Sequence, residues 1–281
     1  MTDVRATVAA VVRYPVKSCA GHSVERAELD AYGIVGDRRW LIVDPDGEFL
    51  TQRDAPRLAL LRPDLNEGGL TLSAPGVDTI DVPINTDGPT LDVRVWNDRC
   101  RGVDQGDDAA AWLSDYLGAS HRLVKMTSDF ERPVDADYAV SADDAVSYAD
   151  GFPVLLANTG SLDELNRRLE SPVPMDRFRP NIVVSGADPF EEGTWKTIRI
   201  GDVTFHVVKP CARCVVTTTD QATGERGTEP LTTLASFRRD ENGKVYFGQN
   251  LIHSAKHGEI AVGDAVTILD VGPSRPSLQA G

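Results

Sequence analysis

Val203-Thr204-Phe205-His206-Val207-Val208 runs directly into Lys209-Pro210-Cys211-Ala212-Arg213-Cys214, and Val215-Val216-Thr217-Thr218-Thr219 follows. The first five residues alternate apolar with polar side chains, the period of a half-buried strand. The last five are all β-branched and predict strand as well. Two of the four cysteines of the chain therefore sit, as Cys-x-x-Cys, directly after a predicted strand. Such a pair supports several readings. A structural zinc site needs two further Cys or His ligands at fixed spacing; Cys19 and Cys100 are isolated, and the five histidines form no pair at ligand spacing. A redox dithiol ordinarily opens a helix, whose N-terminus lowers the thiol pKa, and here strand is predicted instead. Free cysteines are often small buried hydrophobes, although Arg213 between them speaks against a wholly apolar setting. The remaining reading is a single thiolate ligand to a soft, high-valent metal. Spacing alone leaves these open.

Working outward, the same strand grammar fills most of the chain. Thr7 to Tyr14 is a β-branched apolar run ended by Pro15, and Trp40 to Val43 runs into the turn Asp44-Pro45-Asp46-Gly47. Leu70–Ser73 and Leu91–Trp96 alternate with period two. Further strands are expected at 181–185, 197–200 and 265–269. Helices are fewer. Ala109, Trp112, Leu113, Tyr116 and Leu117 share one helical face ahead of Gly118, a C-cap glycine. Ser161 and Glu164 read as a capping box before Leu165 and Leu169, and a short helix is expected near 231–238. Residues 127–150 carry seven acidic side chains against one basic, Arg132, and read as an exposed, mobile crossing. The expectation is a mainly β protein with a few helices (α+β), divided into 1–120, a connecting segment 121–150, and 151–281 ending in a frayed tail from Gly272. A closed barrel would dispose of so many strand edges.

Charge and hydropathy exclude several classes. A net charge of −14 over 281 residues argues against a nucleic-acid partner, since phosphate backbones reward basic patches. No stretch approaches the roughly 20 apolar residues that span a bilayer, and residues 1–21 have basic residues spread through them and lack a continuous apolar core. Four cysteines in a chain of this length do not make a disulfide framework, so a cytoplasmic protein with reduced thiols is expected.

Further segments extend the pattern around the cysteines. They are Arg13-Tyr14-Pro15-Val16-Lys17-Ser18-Cys19, Gly36-Asp37-Arg38-Arg39-Trp40, Phe178-Arg179-Pro180-Asn181 and Thr217-Thr218-Thr219-Asp220-Gln221-Ala222-Thr223-Gly224. Together with Lys209 to Cys214, in this order and over roughly residues 4 to 270, they resemble the MOSC domain and its N-terminal companion β domain, in the amidoxime-reducing component branch. The resemblance implies a MOSC β-barrel packed with an N-terminal β domain. It implies molybdenum-molybdopterin as cofactor, with Cys214 as both metal ligand and catalytic residue. Lys17, Ser18 and Arg38 match positions holding the phosphate end of the pterin; Arg179 and Asn181 match contacts from the second half, and Arg213 and the backbone near Gly151 and Phe152 are further candidates. The implied reaction is two-electron reduction of N-hydroxylated compounds (amidoximes, hydroxylamines, N-oxides). The alternative is a sulfur or cofactor carrier without turnover of its own. No cysteine follows Cys214, so no iron–sulfur cluster is built there, and electrons are expected from a separate flavin or ferredoxin-type reductase. The chemistry is consistent with the residues: a phosphate in an acidic protein needs local cations, Lys as a point charge and Arg as a fork.

Overall fold

In the computed structural model residues 3–274 are described; the end of the expected frayed tail, residues 275–281, lies outside them. In chain order the strands are β1 (Asp3–Arg13), β2 (His22–Val24), β3 (Arg26–Asp30), β4 (Gly33–Ile34), β5 (Trp40–Val43), β6 (Arg62–Asn66), β7 (Gly69–Ala74), β8 (Val77–Pro83), β9 (Thr90–Val95) and β10 (Asp98–Asp104). Helix α1 (Asp107–Leu117) and strands β11 (Arg122–Met126) and β12 (Val154–Asn158) follow, then α2 (Thr159–Asn166), β13 (Ile182–Ser185), β14 (Trp195–Ile200) and β15 (Val203–Arg213). Helix α3 (Leu231–Ala235), β16 (Val245–His253), β17 (Gly258–Ala261) and β18 (Ala265–Val271) complete the fold, which is mainly β with three α-helices.

Seven strands close a barrel in the order β13, β12, β16, β15, β14, β18, β1, with β1 pairing back onto β13; β2 extends the sheet along β1. The first strand of the chain is thus a stave of the barrel built by the second half. Its alternation explains the placement: Ala6, Val8 and Val11 point inward to Leu156, Ile182, Trp195, Phe205 and Leu251. A bulge between Val8 and Ala10 lets the one strand serve β18 with its first residues and β13 with its later ones. The halves of the sequence are therefore not the halves of the sheet.

Outside the barrel, β5, β11, β10 and β9 form a four-stranded sheet and β6, β7 and β8 a meander. Between them Trp40, Leu58, Leu61, Leu72, Leu113 and Tyr116 make a second core beneath α1. Helix α1 ends as expected, with Gly118 in the left-handed conformation (φ 77°) and its N–H returning to the Ser114 carbonyl. The hairpin β3–β4 lies against β17. Gly33 there (φ 100°) leaves room for the Pro153 carbonyl, which would stand 2.5 Å from a Cβ at that position.

Three expectations are corrected. Residues Val215–Thr218 form a 3₁₀ turn rather than a strand, because β15 already runs through Arg213 and two threonine hydroxyls find carbonyls one turn back: Thr217 Oγ1 to Cys214 O at 2.9 Å and Thr218 Oγ1 to Val215 O at 2.8 Å. Helix α2 is capped by Asn158, whose side chain accepts from Gly160 N–H; Ser161 instead donates to the buried Glu192 carboxylate, and Glu164 pairs with Arg167 and Arg168. The acidic segment is an exposed crossing only in part, its acidic side chains mostly outward and its apolar ones turned in. Phe130, Val134, Val146, Tyr148 and Ala149 are buried in it, and Arg132, 4 % exposed, ties it down.

Candidate active site

All seven residues singled out in the sequence as cofactor or metal contacts line one cleft, which encloses about 890 Å³ of space, open solvent at its mouth included. Its walls come from the ends of β1 and β5, from the segment before β12, and from β15 with the turn after it. Cys214 stands where β15 ends and caps the 3₁₀ turn, with Thr217 N–H and hydroxyl both on its carbonyl. The backbone on both sides of the thiol is thereby fixed. Cys211 and Cys214 are both free thiols in the same wall. Burial pushes the Cys211 thiol up, against the opposing pull of Arg213. Among the described residues no group of three or more His, Cys, Asp and Glu side chains gathers as a ligand set, which leaves the zinc reading without its remaining ligands.

Arg213 lines the cleft, but its guanidinium is committed. Nη1 donates to Cys211 Sγ at 2.9 Å and Nη2 to the Phe178 carbonyl at 2.8 Å, so it straps the end of β15 to the 3₁₀ turn at Met175–Phe178. Asn181 is committed too. Its Oδ1 accepts from Leu155 N–H and its Nδ2 donates to the Val12 carbonyl, both at 3.2 Å. It therefore clamps β12 to β1 beside the strand that closes the barrel.

The other candidates form the basic end. Lys17, 6 % exposed, has its Nζ on Asp150 Oδ1 at 2.5 Å and lies near the rings of Phe49 and Trp96. Burial lowers its pKa, partly offset by Asp150. Arg38 is gripped by the buried Asp37 carboxylate (2.7 Å), which also accepts from Tyr14 N–H. The Tyr14 ring carries two guanidinium groups, Arg38 at 4.1 Å and Arg179 at 4.4 Å. Burial pushes the Tyr14 hydroxyl up to about 12, with Arg179 and Arg38 opposing, so at neutral pH the ring does not offset their charge. Arg179 is buried, its pKa lowered mainly by that burial, and its Nη2 has no hydrogen-bond partner. Ser18 is held through its carbonyl, which accepts from Gln52 Nε2 at 2.7 Å; Gln52 and Gln221 then exchange two amide hydrogen bonds.

Backbone strain marks the same place. Among the described residues five non-glycines have left-handed φ, and four of them line this cleft: Ser18 (68°), Arg38 (48°), Trp96 (58°) and Arg179 (54°). Each such conformation costs on the order of 1–3 kcal/mol and persists only where surrounding contacts enforce it. The sequence reading missed Trp96, Arg53 and Asp150. Arg53 stacks on the Trp96 ring at 4.4 Å, and Trp96 Nε1 donates to Asp150 Oδ1 at 3.3 Å. Nothing local flags these residues, because they stand in turns brought together only by the fold. In all the cleft presents five cations, Lys17, Arg38, Arg53, Arg179 and Arg213, against the single carboxylate of Asp150, in a protein whose net charge is −14.

Known proteins share this organisation. The profile described as the MOSC N-terminal beta barrel domain matches residues 5–120, and that of the MOSC domain matches residues 143–267. The mitochondrial amidoxime-reducing component 1 of Mus musculus is 38% identical over 281 aligned positions, covering 94% of this chain and 82% of that one. Its Homo sapiens counterpart is 37% identical, with 94% and 83% covered. A molybdenum cofactor sulfurase of Bos taurus is 34% identical over 86% of this chain, but over only 30% of its own length. With both domains matched in order, and with similarity running along nearly its whole length, the chain belongs to the MOSC family, in the branch of the amidoxime-reducing components.

Proposed function

We propose that this protein reduces N-hydroxylated compounds (amidoximes, hydroxylamines and N-oxides) with a molybdenum cofactor held in the cleft. The observation that carries the reading is the pairing, in one cleft, of the Cys214 thiol with a surplus of cations, Lys17 and Arg179 of them buried, in an otherwise acidic protein. The donor set fits a phosphate-bearing group. Arg179 Nη2 is buried without a partner, and three of the cations, Lys17, Arg38 and Arg179, are held by strained or buried backbone that water alone would not require. The name of the relatives supports the substrate class.

Molybdopterin carrying molybdenum supplies, when bound, a two-electron centre for breaking an N–O bond. The rest falls to the chain. Cys214 offers the thiolate, and the 3₁₀ turn behind it fixes its direction. Lys17 and Arg38 would hold the cofactor's phosphate, with Ser18 and Arg179 completing the cradle. Arg213 and Asn181 keep the two walls in register rather than gripping the ligand. The overall change consumes two electrons and two protons and releases the nitrogen-bound oxygen as water, with electrons drawn from a separate flavin or ferredoxin-type protein.

The test is molybdenum content and amidoxime turnover with an artificial reductant, in wild type, Cys214→Ser and Cys211→Ser expressed where molybdopterin is made. Molybdenum near stoichiometry and turnover in the wild type, both lost in Cys214→Ser and largely kept in Cys211→Ser, are expected. Bound molybdenum without turnover of any N–O substrate would favour a carrier. Zinc at full occupancy would overturn the assignment.

A further inference from the structure

The cleft contains one group that an anionic cofactor does not call for, the Asp150 carboxylate. It is also the most deliberately mounted. Arg132, the only basic residue of the acidic segment and itself 4 % exposed, donates to the carbonyls of Ser147 (2.8 Å), Ala149 and Asp150 (3.0 Å) while pairing with Asp98 at 2.7 Å. That guanidinium fixes the backbone from which Asp150 projects. One carboxylate oxygen, Oδ1, takes both donors, Lys17 Nζ and Trp96 Nε1. Among the described residues nothing donates to Oδ2. The side chain is 78 % exposed into the open cleft, against 6 % for its partner Lys17. An ionised carboxylate with a saturated inner oxygen and a vacant outer one is an acceptor waiting for an N–H donor.

We propose that Asp150 Oδ2 accepts a hydrogen bond from a substrate N–H (in an amidoxime, that of the amino group on the carbon beside the N–O nitrogen), making Asp150 the residue that favours N-hydroxylated compounds retaining an N–H, amidoximes above all, over fully substituted N-oxides. The inference rests on the reductase reading and names the substrate within it. Reduction of an amidoxime breaks its N–O bond, takes up two electrons from the donor protein and two protons, and yields an amidine and water. Amidines are stronger bases than amidoximes and are cationic at neutral pH, so the same carboxylate also holds the product. The neighbouring cations of the cleft bias it against an amidinium elsewhere.

The experiment uses the molybdenum-loaded protein and its Asp150→Asn and Asp150→Ala variants, all normalised to bound molybdenum. Benzamidine and benzyltrimethylammonium, a cation of similar size without an N–H, are titrated calorimetrically, and benzamidoxime and trimethylamine N-oxide are compared as substrates. Losing a hydrogen bond to a charged acceptor should weaken benzamidine binding and raise the KM for benzamidoxime by about 10- to 100-fold. Benzyltrimethylammonium binding and N-oxide reduction should change less than about threefold. Equal losses for both cations would overturn the proposal by reducing Asp150 to a diffuse charge. Unchanged benzamidine affinity with lowered pterin retention would overturn it by giving the carboxylate to the cofactor. A wild type that binds benzamidine through Asp150 yet reduces neither substrate would instead count against the reductase reading.

Discussion

Lys17 and Arg38 reach the cleft by opposite means, and the difference sets what each is worth. Arg38 is held by a buried carboxylate and a ring, so its charge is already half-neutralised before any ligand arrives. Lys17 is buried beside two rings, with the exposed Asp150 as its counter-charge. Replacing either by Ala should weaken cofactor retention by about 1.5–3 kcal/mol, the worth of one charge-assisted hydrogen bond. Retention is read as molybdenum and pterin remaining after gel filtration, and full retention in both variants would remove them from the phosphate cradle. The sequence made these two legible because each stands in a motif whose residue type fits an anion. It could not tell gripping side chains from scaffolding ones. Arg213 and Asn181 look equally apt in the sequence, yet their polar atoms are spent on Cys211, Phe178, Leu155 and Val12. Asp150 was invisible for the converse reason, a carboxylate in a run of carboxylates, distinguished only by the Arg132 mount.

Strand and helix placement followed from periodicity wherever one face meets a core, as in β7, β9 and α1, and failed where polar side chains take over backbone bonding. The five β-branched residues after Cys214 turn instead of extending, since threonine hydroxyls supply the carbonyl partners that a neighbouring strand would have supplied. Asn181 acts on the same level. Truncating it to Ala leaves the Leu155 N–H and the Val12 carbonyl buried without their side-chain partners. A destabilisation of about 2 kcal/mol or more is expected from unsatisfied buried groups, measured by denaturant unfolding of the cofactor-free protein; a variant as stable as wild type but poor in cofactor would return Asn181 to the ligand. Glu192 gives a second test, of the joint between α2 and the turn before β14. Burial raises its pKa, with Ser161 and Asn158 opposing. The folded state therefore binds a proton more readily than the unfolded chain, so the penalty for ionising it grows as pH rises from the ordinary glutamate range through the folded pKa and is absent below that window. Glu192→Gln should flatten the fall in Tm across that interval and leave Tm at acid pH nearly unchanged. A wild-type slope retained in the variant would mean another group is responsible.

Across the whole molecule the cleft exists because the two halves of the sequence share a barrel. Strand β1 lies between β18 and β13, and its far end leads through Tyr14 and Pro15 straight to Lys17 and Ser18. The strand that closes the barrel therefore also delivers Lys17 and Ser18, the proposed phosphate cradle, to the cleft, while Cys214 arrives at the end of β15 on the same barrel. Reading the chain as consecutive halves could foresee the barrel from the number of strands and their unpaired edges. It could not foresee that the closing stave comes from the other end of the sequence, because β pairing between residues this distant leaves no local periodic trace. The arrangement has a direct consequence for fragments. Residues 143–274 contain six of the seven staves, so without β1 the edges of β13 and β18 are left with unpaired N–H and C=O groups, and the apolar faces against Val8 and Val11 are uncovered. That fragment alone should be insoluble or should associate through its open edges. A peptide spanning residues 1–25, supplied in trans, should restore a soluble monomer with protected amides along β13 and β18 in hydrogen exchange. A fragment 143–274 that is monomeric and cooperatively folded without the peptide would mean that β1 seals a barrel already stable on its own. The coupling between fold closure and phosphate cradle would then be one of position only, with no share in stability.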